Sequence, residues 1–342
     1  MRALLVVFAL GCSAPATLPE LVAAERRASS GDVEGALIDY RRAQSTCKSL
    51  KPERRAKQAC SEALLGEAQT LERAGRSDEA INAYVAIPAR APDDAMTGSI
   101  ATYRAGVLLL EAKREVDAWT LLWRVVTEYP NEAHAADALK SLVDDGRHRN
   151  AQALADQLGK LLTALAETQI ADNLVWSLAD LHDKELARPD AARAFYDRIP
   201  VDFPKSGLRD DARWHAARLS KQLGDPKGAA LRLRALLATR EVAMGAGSYF
   251  SIWLDDAQLE LGRVLRDQLA DLRGAAAAFR QLPKHYPASI LKDDALYELA
   301  VTLGKLADKA GACRAITELR KLSPDSKYID DAGALSAELA CP

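Results

Sequence analysis

Aromatic residues make up only 6% of this 342-residue chain, too few for a β-rich core, and the plentiful alanine suits closely packed helices instead. An excess of charge of one sign is missing as well. Lys and Arg number 46 against 48 Asp and Glu, a formal net charge of −2, which gives no basis for non-specific nucleic-acid binding. No apolar run after residue 12 is long enough to span a bilayer. Signatures of chemistry are absent too. The histidines, His134, His148, His182, His215 and His285, form no His-Glu-x-x-His or other metal-binding spacing. There is no Gly-x-Ser-x-Gly elbow and no phosphate-cradling glycine loop, and Gly245-x-Gly247 alone reads as a flexible loop. No two cysteines have Cys-x-x-Cys spacing, which argues against zinc. The chain therefore reads as non-enzymatic, with no cofactor, metal or small-molecule substrate.

What is present is repetition. The phrase Pro-x-Ser-x-x-x-Asp-Asp-Ala begins at Pro204, Pro287 and Pro324. A looser copy runs from Pro130 to Asp137-Ala138, and a truncated one survives as Asp255-Asp256-Ala257. The anchoring prolines Pro92, Pro130, Pro204, Pro287 and Pro324 imply a unit of about 37 residues, the size of a helix-pair repeat. The Pro204–Pro287 step is longer than two units, so an insertion is expected over about residues 240–250. In the last full unit Leu296, Leu299, Ala300 and Leu303 form one helical stripe, and Ala312, Ile316 and Leu319 a second. Pro324 ends the second helix. The acidic pair then falls at the start of the next helix, where carboxylates suit the positive end of the macrodipole, with the preceding serine as its expected N-cap. Recurrence at one repeat position assigns these pairs to helix starts rather than to acid–base chemistry or calcium. Trp119, Trp123, Trp176, Trp214 and Trp253 are assigned to the core on the same stripes.

Counted back from the prolines, this grammar resembles the tetratricopeptide repeat. Small residues fall at the eighth and twentieth positions and a large one at the twenty-fourth: Ala68, Ala80 and Tyr84 before Pro92; Gly106, Ala118 and Leu122 before Pro130; Ala300, Ala312 and Ile316 before Pro324. Partial matches are Ala192 and Tyr196 before Pro204, and Ala275 and Phe279 before Pro287, the latter with one extra residue between the helices. Ala24, Gly31, Ala36 and Tyr40 mark an earlier unit, and residues 137–168 a degenerate one. The resemblance implies an all-α, right-handed α-solenoid of about eight helix pairs over residues 13–342, closed by a capping helix at about 326–340. The unit exceeds the family's 34 residues by about three, nearly one helical turn, which is placed at the N-terminus of each first helix. Junctions such as Tyr129-Pro130 and Tyr286-Pro287 resemble a bacterial envelope branch of the family. That branch includes the helical lipoprotein of the outer-membrane β-barrel assembly machinery and a periplasmic protein linked to the Tol–Pal system.

The first twelve residues read as a signal peptide: Arg2, a short apolar run, then Ala9-Leu10-Gly11-Cys12-Ser13, which resembles a lipobox. Processing there makes Cys12 an acylated N-terminus, and several acyl chains anchor a protein stably; the other reading is a plain signal peptide cut nearby. Ser13 favours the outer membrane, with the protein facing the periplasm, and a soluble periplasmic protein is the alternative. In an oxidising compartment the remaining cysteines pair as neighbours, Cys47–Cys60 and Cys313–Cys341, because distant repeats of a solenoid do not touch; four buried free thiols are the alternative. The excess of Lys and Arg from Arg26 to Lys57 reads as a solvated helix face.

In the family, ligands contact first-helix positions that line a groove. Carried over, these are Tyr103, Val107, His215, Gln222, Arg263, Arg266, Tyr297 and Lys305. The expected partner is an envelope protein or peptide segment, bound by a periplasm-facing scaffold. An accessory subunit of an envelope enzyme or export complex, and a cytoplasmic regulatory repeat protein, are the competing readings.

Overall fold

The computed structural model describes residues 18–50, 54–240 and 251–342. The leader with Cys12 and nearly all of the 240–250 insertion lie outside them. Every regular element among the described residues is helical. The chain divides into two units, Met1–Asp145 with Glu167–Ile170, and Gly146–Ala166 with Ala171–Pro342.

In the first unit helices pair as α1 (Pro19–Ser30) with α2 (Val33–Cys47), α3 (Arg54–Arg73) with α4 (Ser77–Arg90), and α5 (Ala95–Glu111) with α6 (Glu115–Glu128). In the second, α8 (Ala171–Lys184) pairs with α9 (Pro189–Asp202), α10 (Arg209–Gln222) with α11 (Pro226–Leu237), α12 (Leu254–Arg263) with α13 (Leu272–His285), and α14 (Lys292–Lys305) with α15 (Lys309–Leu322). The single helix α16 (Ile329–Glu338) follows, at the place expected of a terminal cap. Between the two sets lies α7 (Ala133–Ala164), broken at Asn150 by a non-helical backbone (φ −159°, ψ 88°). The Asn150 side chain accepts the N–H of Ala153 at 3.0 Å and so caps the second half. The degenerate stretch is thus two helical segments joined at Asn150, and the described residues otherwise make seven helix pairs plus α16.

In the pairs α5–α6 and α12–α13 a small residue of the first helix receives a large residue of the second. A Cβ on Gly106 would lie 3.0 Å from Leu122, and one on Gly262 only 2.3 Å from the Phe279 ring. Phe279, Tyr84 and Tyr196 are fully buried at this position. The extra residue expected between α12 and α13 is absorbed inside the first helix, where Val264–Gln268 is one π-helical turn. Such a turn accommodates a single inserted residue and keeps Gly262 under Phe279.

A second repeated signature sets the start of the second helices. Asp32, Asp225, Asp271 and Asp308 each accept the N–H of a glycine three residues on, Gly35, Gly228, Gly274 and Gly311, at 2.8–3.0 Å. The glycine is required because a Cβ on Gly274 would lie 2.2 Å from the capping carboxylate. Asp271→Ala is expected to cost about 1 kcal/mol, read as a lower urea midpoint at unchanged slope; no shift would mean that the cap is redundant.

The junctions differ from expectation. After the full Pro-x-Ser-x-x-x-Asp-Asp-Ala phrases the helices are not lengthened: α10, α14 and α16 begin at Arg209, Lys292 and Ile329, immediately before the acidic pair. The additional residues form turns, held because Ser206, Ser289 and Ser326 accept the N–H two residues further on, at 3.0–3.2 Å. The serine is therefore a turn-former, and the residues at the helix starts, Leu208, Leu291 and Tyr328, cap without a side-chain bond. The truncated copy is also more complete than it looked, since Ser251 makes the same contact to Trp253 N at 3.3 Å.

Candidate partner-binding face

The acidic pairs lie in the first turns of α10, α12 and α14, and they reach across to the following repeat. The first aspartate accepts a hydroxyl from the next junction: Ser289 donates to Asp255 at 2.6 Å and Ser326 to Asp293 at 2.7 Å. Asp210 accepts instead from Thr239 at 3.2 Å. The second aspartate accepts from the side chain two residues before the next acidic pair, Trp253 Nε1 to Asp211 at 2.6 Å and Tyr328 OH to Asp294 at 2.8 Å. Hydrogen bonds to a charged acceptor are the stronger kind, so one motif both starts a helix and ties it to its neighbour. At Asp256 the corresponding residue is Leu291, which has no donor. Burial, followed by the neighbouring Asp255 charge, raises the Asp256 pKa.

The first helices are also linked by ion pairs. Arg147 meets Asp180 at 2.8 Å and Glu185 at 3.3 Å, Lys221 meets Glu260 at 2.5 Å, and Arg218 pairs with Asp183. In the first unit Arg104 pairs with Glu72, which also accepts from Tyr84 OH at 2.6 Å. Burial pushes the Tyr84 hydroxyl up to about 12.

The expected groove residues divide by what they do in this frame. Arg263 and Arg266 share Glu298, the former at 3.2 Å, and Arg266 also holds Asp267 at 2.6 Å. The Arg266 guanidinium lies 5.5 Å from the Phe279 ring, so both its charge and its flat face are committed to the fold. Tyr297 stacks on Tyr328 at 4.4 Å. In the first unit Tyr103 packs 5.3 Å from the His134 ring, and Val107 is half-buried. His215 stacks on Tyr196 at 5.1 Å and meets Trp176 edge-on at 5.5 Å. Burial first, then the Arg218 charge, holds His215 below the usual histidine range, so it is neutral at neutral pH. Gln222 and Lys305 are exposed.

The tryptophans are not interior residues. Trp176, Trp214 and Trp253 are half-buried, as are Trp119 and Trp123. In the second unit Trp214 stacks on Trp253 at 5.1 Å, and His215 lies edge-on to Trp253 at 6.2 Å. With Trp176 and Tyr196 they form a row of rings along α8–α10 and the start of α12. Beside it, between α10, α11 and α12, is a cavity of about 210 Å³. Ala217, Ala229, Leu233 and Val264 supply its apolar lining, Trp214 one wall, and Arg218, Lys221 and Glu260 its rim. A tryptophan on a helical stripe has the periodicity of a core residue, which hides this site in the sequence; the Trp253–Asp211 bond that holds one of these rings joins positions 42 residues apart.

Among the described residues no cluster of three metal-ligating side chains occurs. The tetratricopeptide-repeat family model matches residues 256–289 and 294–326. No curated protein sequence matches the chain. Several solved structures are similar. The C-terminal part of a tetratricopeptide repeat-containing protein from Cytophaga hutchinsonii is 11% identical, with a TM-score of 0.40 over 91% of this chain and 98% of that one. YrrB, described as a TPR protein with an unusual peptide-binding site, is 12% identical, with a TM-score of 0.38 over 73% and 97%. PilW, a type IV pilus biogenesis factor, is 15% identical, with a TM-score of 0.35 over 79% and 97%. The family model thus marks two tetratricopeptide repeats, at the pairs α12–α13 and α14–α15.

Proposed function

We propose that this chain is a non-enzymatic protein-binding scaffold of the bacterial envelope, exported and anchored to the outer membrane through an acylated Cys12, and that it faces the periplasm. Its first helices bind an extended segment or helix of another envelope protein. The observation that carries the binding reading is the half-buried row Trp176, His215, Trp214 and Trp253 beside the 210 Å³ cavity. Exposed aromatic faces around a small apolar pocket are the form of an interface hot spot, and this pocket has the size for one aliphatic side chain. Export is supported by the sequence Gly11-Cys12-Ser13 and by the two cysteine pairs, whose Cα atoms lie 5.8 and 5.5 Å apart, within disulfide reach. The Tyr129-Pro130 and Tyr286-Pro287 junctions, which resemble an envelope branch of the tetratricopeptide repeats, support the same reading.

A photo-crosslinking residue at Gln222, on the exposed edge of α10, is expected to capture a discrete envelope partner in intact cells, and Trp214→Ala to abolish that capture. Palmitate labelling and outer-membrane fractionation are expected to disappear in Cys12→Ala. A crosslink pattern untouched by Trp214→Ala would refute the groove, and an unlabelled cytosolic protein would refute the localisation.

A further inference from the structure

The chain as a whole is nearly neutral, yet its last three second helices are not. α11 carries Lys227, Arg232 and Arg234, and α13 carries Arg273, Arg280 and Lys284, with no Asp or Glu on either helix. α15 carries Lys309, Arg314, Arg320 and Lys321 against the single acid Glu318. The earlier second helices α4, α6 and α9 each hold more acid than base. The cations recur in register: counted from the capping aspartates Asp225, Asp271 and Asp308, Lys227 matches Arg273, Arg234 matches Arg280, and Lys284 matches Lys321. Their spacing along each helix puts them on one face.

Except for Arg232, which pairs with Asp197, these cations differ from those of the first helices in the same unit. On the first helices Arg147, Arg218, Lys221, Arg263 and Arg266 are each bound to a carboxylate of a neighbouring repeat. By contrast Arg273, Arg280, Lys284, Lys309, Arg314 and Lys321 make no ion pair among the described residues, and all six are exposed. On α15 the basic face borders an open groove of about 820 Å³. Ala310, Cys313, Thr317 and Leu322 line it, Lys309, Arg314 and Lys321 supply three cations against the single acid Glu318, and Pro342 closes its far side. Pro342 adjoins Cys341, which lies opposite Cys313 with Cα atoms 5.5 Å apart, so the cysteine pair holds that wall in place.

We propose that the second helices of the last repeats, centred on the α15 groove, are a docking surface for an acidic amphipathic segment of a partner protein. Charge complementarity selects the sign: unpaired cations in an otherwise balanced molecule attract and orient an acidic partner. The groove selects a polypeptide over a membrane, because a concave apolar floor takes side chains between its cations whereas a lipid surface is flat. This surface is separate from the first-helix face and does not depend on what occupies that face.

The test is fluorescence anisotropy with the full chain and two labelled amphipathic peptides, one with leucines at helical spacing and glutamates between them, the other with glutamine for each glutamate. The acidic peptide is expected to bind with an affinity that falls as salt rises, and the glutamine peptide on the order of tenfold more weakly. Arg314→Glu with Lys321→Glu is expected to weaken the acidic peptide on the order of tenfold while the helical circular dichroism and the Gln222 crosslink stay unchanged. Trp214→Ala is expected to leave this binding intact, which separates the two surfaces. Equal binding of both peptides, or no effect of the charge reversal, overturns the proposal. So does charge-dependent sedimentation with phosphatidylglycerol vesicles in the absence of peptide binding, which would assign the face to a lipid surface.

Discussion

Phe279→Ala is expected to destabilise the second unit by about 3–5 kcal/mol, the range for removing a fully buried aromatic ring. Phe279 is 0% exposed, and its ring fills the space above Gly262, where even a methyl group would approach to 2.3 Å. The opening left by the ring cannot close from the Gly262 side, because that residue has no side chain to move. Arg266 would also lose the ring face beneath its guanidinium while remaining bound to Glu298 and Asp267. In a stack of repeats each pair is stabilised by its neighbours, so the loss should spread to α14 and α11 before it reaches α8. Hydrogen exchange read helix by helix would show protection falling first in α12 and α13. A compensating Gly262→Ala in the Phe279→Ala background should recover part of the loss by filling the same space; failure of that rescue would place the role of Phe279 elsewhere than in this contact.

How far the sequence foretells this architecture depends on the reach of each signal. The helix pairs were legible because their determinants are local: a small residue, a large residue and a proline recur at fixed offsets, as at Ala68, Ala80, Tyr84 and Pro92. The irregular places were legible as losses of pattern, but their form was not. The weak stretch after Asp137 proved to be a helix broken at Asn150, and the surplus residue before Phe279 proved to be a π turn at Val264–Gln268. Both are decisions that the backbone makes to keep neighbouring pairs packed, and no single residue type announces them. The acidic pairs do lie at helix starts, but their second role is hidden from the sequence. A bond such as Ser326 to Asp293 spans 33 residues, and the same serine also satisfies a local N–H, which is the signal a short-range reading finds first. The expected groove residues met the same limit. Arg263 and Arg266 lie at partner-facing positions, yet the carboxylate that engages both belongs to Glu298, on the next first helix. The Asp-x-x-Gly caps, in contrast, were open to view four times over and could have been found by aligning the second helices rather than the prolines.

Oxidation of Cys313 and Cys341 to a disulfide is expected to stabilise the C-terminal end by about 3 kcal/mol, as a loop of this length does by restricting the unfolded chain. Their sequence separation is 28 residues, and their Cα atoms are 5.5 Å apart in the fold. The end of the chain needs the link. α16 has a single fully buried side chain, Ala332, with Leu335 and Leu339 only partly covered. The Tyr328–Asp294 and Ser326–Asp293 bonds hold the start of α16, and among the described residues the cysteine pair is what ties down its far end. Reduction should therefore release the helix from its C-terminus, a local loss in which α14 and α15 remain folded. The measurement is hydrogen exchange with and without reductant, with peptide mass mapping under non-reducing conditions to confirm the pairing. Protection in α16 should fall with reductant and with Cys341→Ser to the same extent, while protection in α8 stays constant. The α15 groove loses its Pro342 wall in the same step, so acidic-peptide affinity should fall together with α16 protection. A free thiol at Cys313 in the oxidised protein, or α16 protection indifferent to reductant, would remove the staple and leave the groove open on that side.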